Sequence, residues 1–85
     1  MTKWFVYVLK TSNWRYYVWS TNNLNRRIQQ HQEGKNLATK HVRPVILLYY
    51  KEYNQIKEAR QMEYWLKKQK DKKTIQKFMD SKFVD

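Results

Sequence analysis

The stretch Trp4–His31, WFVYVLKTSNWRYYVWSTNNLNRRIQQH, decides the fold. Its first seven residues, Trp4–Lys10, are continuously apolar, β-branched or aromatic until the closing lysine. That is the pattern of a strand covered on both faces. Thr11–Trp14 reads as a turn and Arg15–Ser20 as a second strand, so the two are expected to pair as an antiparallel hairpin. Asn13 suits a tight turn. Trp14 does not, because tight hairpin turns call for positive φ, where glycine is usual. Thr21, Asn22 and Asn23 offer capping side chains for a helix over 24–33, closed by Gly34, the one glycine of the chain. At about 100° per residue, Leu24, Ile28 and His31 share one face, Arg27 lies on its edge and Arg26 points nearly opposite. Of the two adjacent arginines, Arg27 is therefore expected to face the sheet.

Working outward, Lys35–Arg43 is a polar, basic connection, and Pro44 introduces a third strand over Val45–Tyr50. Asn54 is placed to cap a helix over Gln55–Lys68, whose apolar stripe is Ile56, Ala59, Met62 and Leu66. Glu63 falls inside that stripe. A carboxylate on a buried face is unfavourable unless something pairs with it. Asp71 is placed to cap a last helix to Asp80 with Ile75, Phe78 and Met79 inward, and fraying is expected beyond. The expected architecture is α/β (α+β), in the order β-β-α-β-α-α: a small three-stranded, mainly antiparallel sheet flanked by helices. It forms one domain over 1–85, with its core at about 3–80.

Eighteen Lys and Arg against seven Asp and Glu leave a net charge of +11. A polyanion is the expected partner, because each neutralised phosphate releases counterions. Four Trp, seven Tyr and three Phe interleave with those cations, which favours nucleic acid over an anionic membrane surface. Cysteine is absent, which excludes disulfides and thiolate metal sites and suits a reducing compartment. No apolar run approaches the ~18 residues of a membrane span, and nothing resembling a signal peptide precedes the first strand. A cytoplasmic location is the expectation, with no membrane partner and no small-molecule cofactor. With two histidines and few acids, a zinc site is not expected.

Four residues stand out by phase: Tyr7 on the first strand, Tyr17 on the second, Arg27 on the first helix and Glu63 on the second. Hydrolysis of a phosphodiester needs a metal held by carboxylate oxygen, a base for water and a cation for the developing charge. Glutamate, tyrosine and arginine can fill those roles, and Mg²⁺ often takes only one protein carboxylate. Each residue also has an ordinary reading. Tyrosine is common in sheets, His31 packs on an apolar face, and Glu63 can pair with Lys67 or Arg60 on its own helix.

At these residues the chain resembles the GIY-YIG nuclease family, especially its small stand-alone bacterial members. Phe5-Val6-Tyr7 stands at the first motif and Tyr17-Val18-Trp19 at the second. Arg27 follows Tyr17 at ten residues, and then His31; Arg43-Pro44-Val45 precedes the third strand, and Glu63 lies in EARQMEYWLKK. The resemblance covers about Lys3–Asp80. It implies a divalent-metal-dependent endonuclease that hydrolyses DNA phosphodiester bonds, with a possible role in DNA repair or processing. Glu63 would bind a single Mg²⁺ or Mn²⁺. Tyr17 would act as general base or orient the water, with Tyr7 supporting it. Arg27 would hold the scissile phosphate, and His31 would assist near it. Lys35, Lys40, Arg43, Lys67 and Lys70 are the expected contacts to nucleic-acid backbone. Two tryptophans depart from the pattern. Trp19 replaces the second motif's glycine on Tyr17's face, and Trp14 takes a hairpin position where such proteins usually carry glycine. The rival expectation is a nucleic-acid-binding domain of the same fold, catalytically impaired by Trp19.

Overall fold

The computed structural model describes residues 3–69 and 71–83, with side chains through Asp80. Its elements run β1 (Trp4–Lys10), β2 (Tyr16–Thr21), α1 (Leu24–Gln32), β3 (Ile46–Tyr53), α2 (Ile56–Lys68) and α3 (Lys72–Phe83). The sheet order is β2-β1-β3, and both pairings are antiparallel. The expected β-β-α-β-α-α order is the observed one.

β1 is central, and Val6, Tyr7, Val8 and Leu9 are all buried. Alternation along it divides the core in two. Tyr7 and Leu9 face α1 and pack with Val45, Trp19, Leu24, Ile28 and Leu47. Val6 and Val8 face the other way and join Val18, Tyr49, Ala59, Leu66, Ile75 and Met79. The sheet is thus sandwiched, with α1 on one face and α2 with α3 on the other. This explains why β1 has no polar face.

Several boundaries differ from expectation. β2 begins and ends one residue later, at Tyr16 and Thr21, because its register pairs Lys10 with Tyr16 and Phe5 with Thr21. β3 reaches Tyr53 rather than Tyr50, since Lys51, Glu52 and Tyr53 complete the ladder opposite Val6, Phe5 and Trp4. Gln55, not Asn54, is the N-cap of α2, and its side chain makes no capping bond. Asn23 caps α1 as expected, accepting from the Arg26 N–H. Asp71 accepts from the Lys73 N–H at 2.9 Å at the start of α3. That helix continues past Asp80 to Phe83, so the fraying expected beyond Asp80 does not begin there; 84–85 lie outside the described residues.

Among the described residues, two have positive φ: Gly34 at 78° and Trp14 at 65°. Gly34 closes α1, and a Cβ there would lie 2.8 Å from the Arg43 guanidinium carbon. Trp14 is the sequence conflict made visible. Its N–H bonds back to the Thr11 carbonyl at 3.0 Å, which closes the hairpin and leaves it left-handed with an exposed indole. For a residue with a Cβ this conformation costs roughly 1–2 kcal/mol. Trp14→Gly is therefore expected to stabilise the protein by about 1 kcal/mol, read as a higher urea midpoint at unchanged slope; an unchanged or lower midpoint would contradict the strain.

Candidate active site

β2 is an edge strand, and the two helical layers come into view of one another across it. A cleft of about 550 Å³ opens there, lined by Trp4, Ser20, Thr21, Asn22, Arg27, Arg60, Glu63, Tyr64 and Lys67. Arg27 reaches it from α1 and Glu63 from α2, so the cleft joins side chains anchored on opposite faces of the sheet. This follows from phase: Arg27 lies at the margin of the face of α1 that carries Leu24 and Ile28, and Glu63 lies between Ala59 and Leu66 on α2.

Glu63 has both carboxylate oxygens engaged. Oε1 accepts from the Ser20 hydroxyl at 2.5 Å, and Oε2 accepts from the Lys67 ammonium at 2.6 Å. Its side chain is 19% exposed against 49% for Lys67. Burial pushes the carboxyl up, but the hydrogen bonds from Lys67 and Ser20, with the charges of Lys67 and Arg60, more than reverse this and hold it below the ordinary carboxylate range. Glu63 is ionised at neutral pH.

Tyr7 and His31 lie beneath the surface. Tyr7 Oη is 3.1 Å from His31 Nε2, and His31 Nδ1 is 2.8 Å from Thr39 Oγ1; all three residues are buried. Burial raises the Tyr7 hydroxyl strongly, with Arg27 pulling it down and Glu63 pushing it further up. Burial, and then the charge of Arg27, lowers His31. Tyr7 therefore keeps its proton and His31 stays neutral. The consistent assignment has the Tyr7 hydroxyl donating to Nε2, and Nδ1–H donating to Thr39.

Tyr17 and Trp19 fill the remaining space. The Trp19 indole stacks on Tyr17 at 5.3 Å between ring centroids and on His31 at 4.7 Å, and it lies 6.2 Å from Tyr7. Of the five expected site residues, the structure thus joins Arg27 with Glu63 in the cleft and Tyr7 with His31 below it. Tyr17 is set apart, against the indole. It lines a separate groove that also includes Lys67.

The expected backbone contacts divide as well. Lys67 lines the cleft. Lys35 pairs with Glu33 at 3.1 Å. Arg43 donates to the Lys40 and Gln32 carbonyls at 3.1 and 3.3 Å, which ties the α1–β3 connection to the end of α1. Lys40 is exposed in that connection, and Lys70 lies outside the described residues. Trp65 of α2 is partly exposed but also meets Phe78 of α3 at 5.6 Å. Sequence reasoning missed Ser20 and Thr39. Ser20 was accessible, since alternation puts it on the face opposite Tyr17 and hence on the α2 side. Thr39, in a polar connection, carried no local signal.

The donor set suits one hard cation at most. Among the described residues there is no group of three or more His, Asp or Glu side chains able to hold a metal ion. A single ionised carboxylate beside open volume fits an oxygen-preferring ion that keeps waters and phosphate oxygens as its other ligands. No described helix is long and apolar enough to cross a membrane.

Comparison with known proteins agrees with this fold. The GIY-YIG catalytic domain matches residues 3–76. The UPF0213 protein YazA of Bacillus subtilis is 39% identical over 70 residues, spanning 81% of this chain and 71% of its own. A UPF0213 protein of Bacillus pumilus is 38% identical over 72 residues, spanning 79% and 74%. The solution NMR structure of a UPF0213 protein from Bacillus halodurans superposes with a TM-score of 0.57 at 28% identity, covering 87% of this chain and 80% of that one.

The buried histidine gives a pH signature. With its folded pKa lowered, His31 resists a proton that the unfolded chain accepts near pH ~6.5. Stability from this group is present above that value and is lost as pH falls below it. The urea midpoint is expected to drop between about pH 7.5 and 5.5, and His31→Gln should flatten that dependence; a wild-type midpoint constant across the window would contradict it.

Proposed function

The chain belongs to the GIY-YIG family, and from that premise we propose that it is a divalent-metal-dependent endonuclease acting on DNA phosphodiester bonds. The family is nuclease-type and its substrate is nucleic acid. The observation that carries the reading is the convergence of Arg27 and Glu63 on one cleft from opposite faces of the sheet. The net charge of +11 supports a polyanionic substrate. A role in DNA repair or processing rests on family analogy alone.

Bound at Glu63, Mg²⁺ or Mn²⁺ would polarise the phosphate and lower the pKa of a coordinated water. The protein's own residues do the rest. Glu63, kept ionised by Ser20 and Lys67, is the anionic ligand. Arg27 holds the scissile phosphate and offsets its developing charge, and Arg60 adds positive potential at the cleft wall. Tyr7 retains its proton and serves by hydrogen bonding, locked to His31; it is not the base. Tyr17 remains the candidate to orient or deprotonate the water, a role for which a phenol needs a cation nearby. Lys40 and Lys67 are candidate contacts to flanking phosphates.

The indole of Trp19 favours a second reading. It stacks against both Tyr17 and His31, and Tyr17 does not line the Arg27–Glu63 cleft. The same fold would then bind nucleic acid with little turnover.

One set of measurements separates the two. Plasmid nicking in Mn²⁺ is expected to fall by about a hundredfold or more in Glu63→Ala and in Arg27→Ala. Trp19→Gly is expected to raise it by at least about tenfold, as positioning effects of this size permit. Nicking by Glu63→Ala at the wild-type rate would end the nuclease reading. Salt-sensitive DNA binding with no cleavage even in Trp19→Gly would leave only the binding reading.

A further inference from the structure

Lys67 is bonded to the side chain that the metal must use. Its ammonium lies 2.6 Å from Glu63 Oε2, one helical turn on, while Ser20 takes Oε1. The lysine is half exposed on a flexible stem and lines the same cleft as Arg27 and Arg60. A divalent cation and an ammonium held on the same carboxylate repel one another, so Lys67 on Oε2 weakens the hold of Glu63 on a metal. Glu63 cannot shed the lysine towards another carboxylate, since among the described residues no other acidic side chain lines the cleft. An arriving phosphate supplies the missing acceptor.

We propose that Lys67 is a placeholder cation: it neutralises Glu63 in the free protein and transfers to a non-bridging phosphate oxygen when nucleic acid enters, which frees Oε2 for the metal. The inference rests on the reading that Glu63 receives the metal. Metal and nucleic acid then bind cooperatively, each favouring the state that accepts the other. Lys67 is a positioning residue for the metal as well as a phosphate contact.

The test uses Mn²⁺ alone, followed by titration of free and bound ion by electron paramagnetic resonance. Lys67→Met is expected to tighten Mn²⁺ binding to the DNA-free protein by roughly three- to tenfold, the scale of the net contribution of one hydrogen bond. In the wild type, a non-cleavable phosphorothioate duplex should tighten Mn²⁺ binding by a similar factor. That gain should vanish in Lys67→Met and persist in Lys67→Arg. Glu63→Gln should abolish binding in every case. Unchanged Mn²⁺ affinity in Lys67→Met, or an undiminished duplex effect, overturns the placeholder role. Because affinity is read without turnover, that failure is distinct from failure of the nuclease reading.

A different observation carries a second inference. Trp14 occupies left-handed backbone at φ 65°, a conformation that glycine adopts without strain. Trp19 crowds a face already holding Tyr7, Tyr17 and His31. The chain has one glycine where about 6 would be ordinary for its length, and four tryptophans. Trp19 itself has ordinary strand backbone but stands at the second motif's glycine position, whereas Trp4 and Trp65, packed against the core and against Phe78, stand at neither position where glycine is expected. We infer that residues 14 and 19 are glycine in the protein as its own cell makes it. One codon accounts for both, since UGA is one base from a glycine codon and from the tryptophan codon, and different genetic codes assign it differently. Mass spectrometry of the protein isolated from the cells that encode it decides the matter. The tryptic peptides Thr11–Arg15 and Tyr16–Arg26 are expected to be lighter than TSNWR and YYVWSTNNLNR by the difference between tryptophan and glycine. Tryptophan retained in either peptide overturns the inference.

Discussion

A single carboxylate is held among cations in the main cleft of this molecule. Glu63 shares that cleft with Arg27, Arg60 and Lys67, and among the described residues no second acid lines it. Partial burial raises the free energy of its charge, and the Lys67 and Ser20 hydrogen bonds lower it again. The balance leaves an ionised oxygen pair in a positive field. Such a site suits a ligand that brings its own negative charge, as a phosphate does.

The sheet makes that juxtaposition possible. β1 is buried on both faces, so α1 and α2 are held in register through one strand rather than through contact with each other. Tyr7 belongs to that strand and bonds to His31 of α1, which in turn holds Thr39 in the following connection. A proton on either side chain is unfavourable to move: Tyr7 resists losing one and His31 resists gaining one. The buried chain works as an orienting strut for the helix that bears Arg27.

Much of this was legible in the residues themselves. The bounds of β1 followed from its unbroken apolar run, and α1 followed from Asn23, Gly34 and the Leu24–Ile28–His31 phase. The inward setting of Glu63 followed from its place between Ala59 and Leu66. The pairing with Lys67 was one of two partners its helix offered. What escaped depends on contacts distant in sequence. The last turn of β3 is polar, and only its pairing with Trp4–Val6 makes it strand. Trp65 reads as surface on its own helix and meets Phe78 only once α3 folds back. That an indole shares Tyr17's face follows from strand alternation, but its stacking on His31 does not.

The connection between α1 and β3 has a mechanical consequence. It is fastened at several points: Thr39 to His31, the Val42 carbonyl to the Ser12 N–H, and Arg43 to Gln32. Connections so tethered do not swing as flaps. The described residues of this connection do not line the Arg27–Glu63 cleft, whose lining includes the long side chains of Arg27, Arg60 and Lys67, and rotations of such side chains take nanoseconds rather than milliseconds. Encounter with the substrate, not the opening of a gate, would set the pace of its arrival.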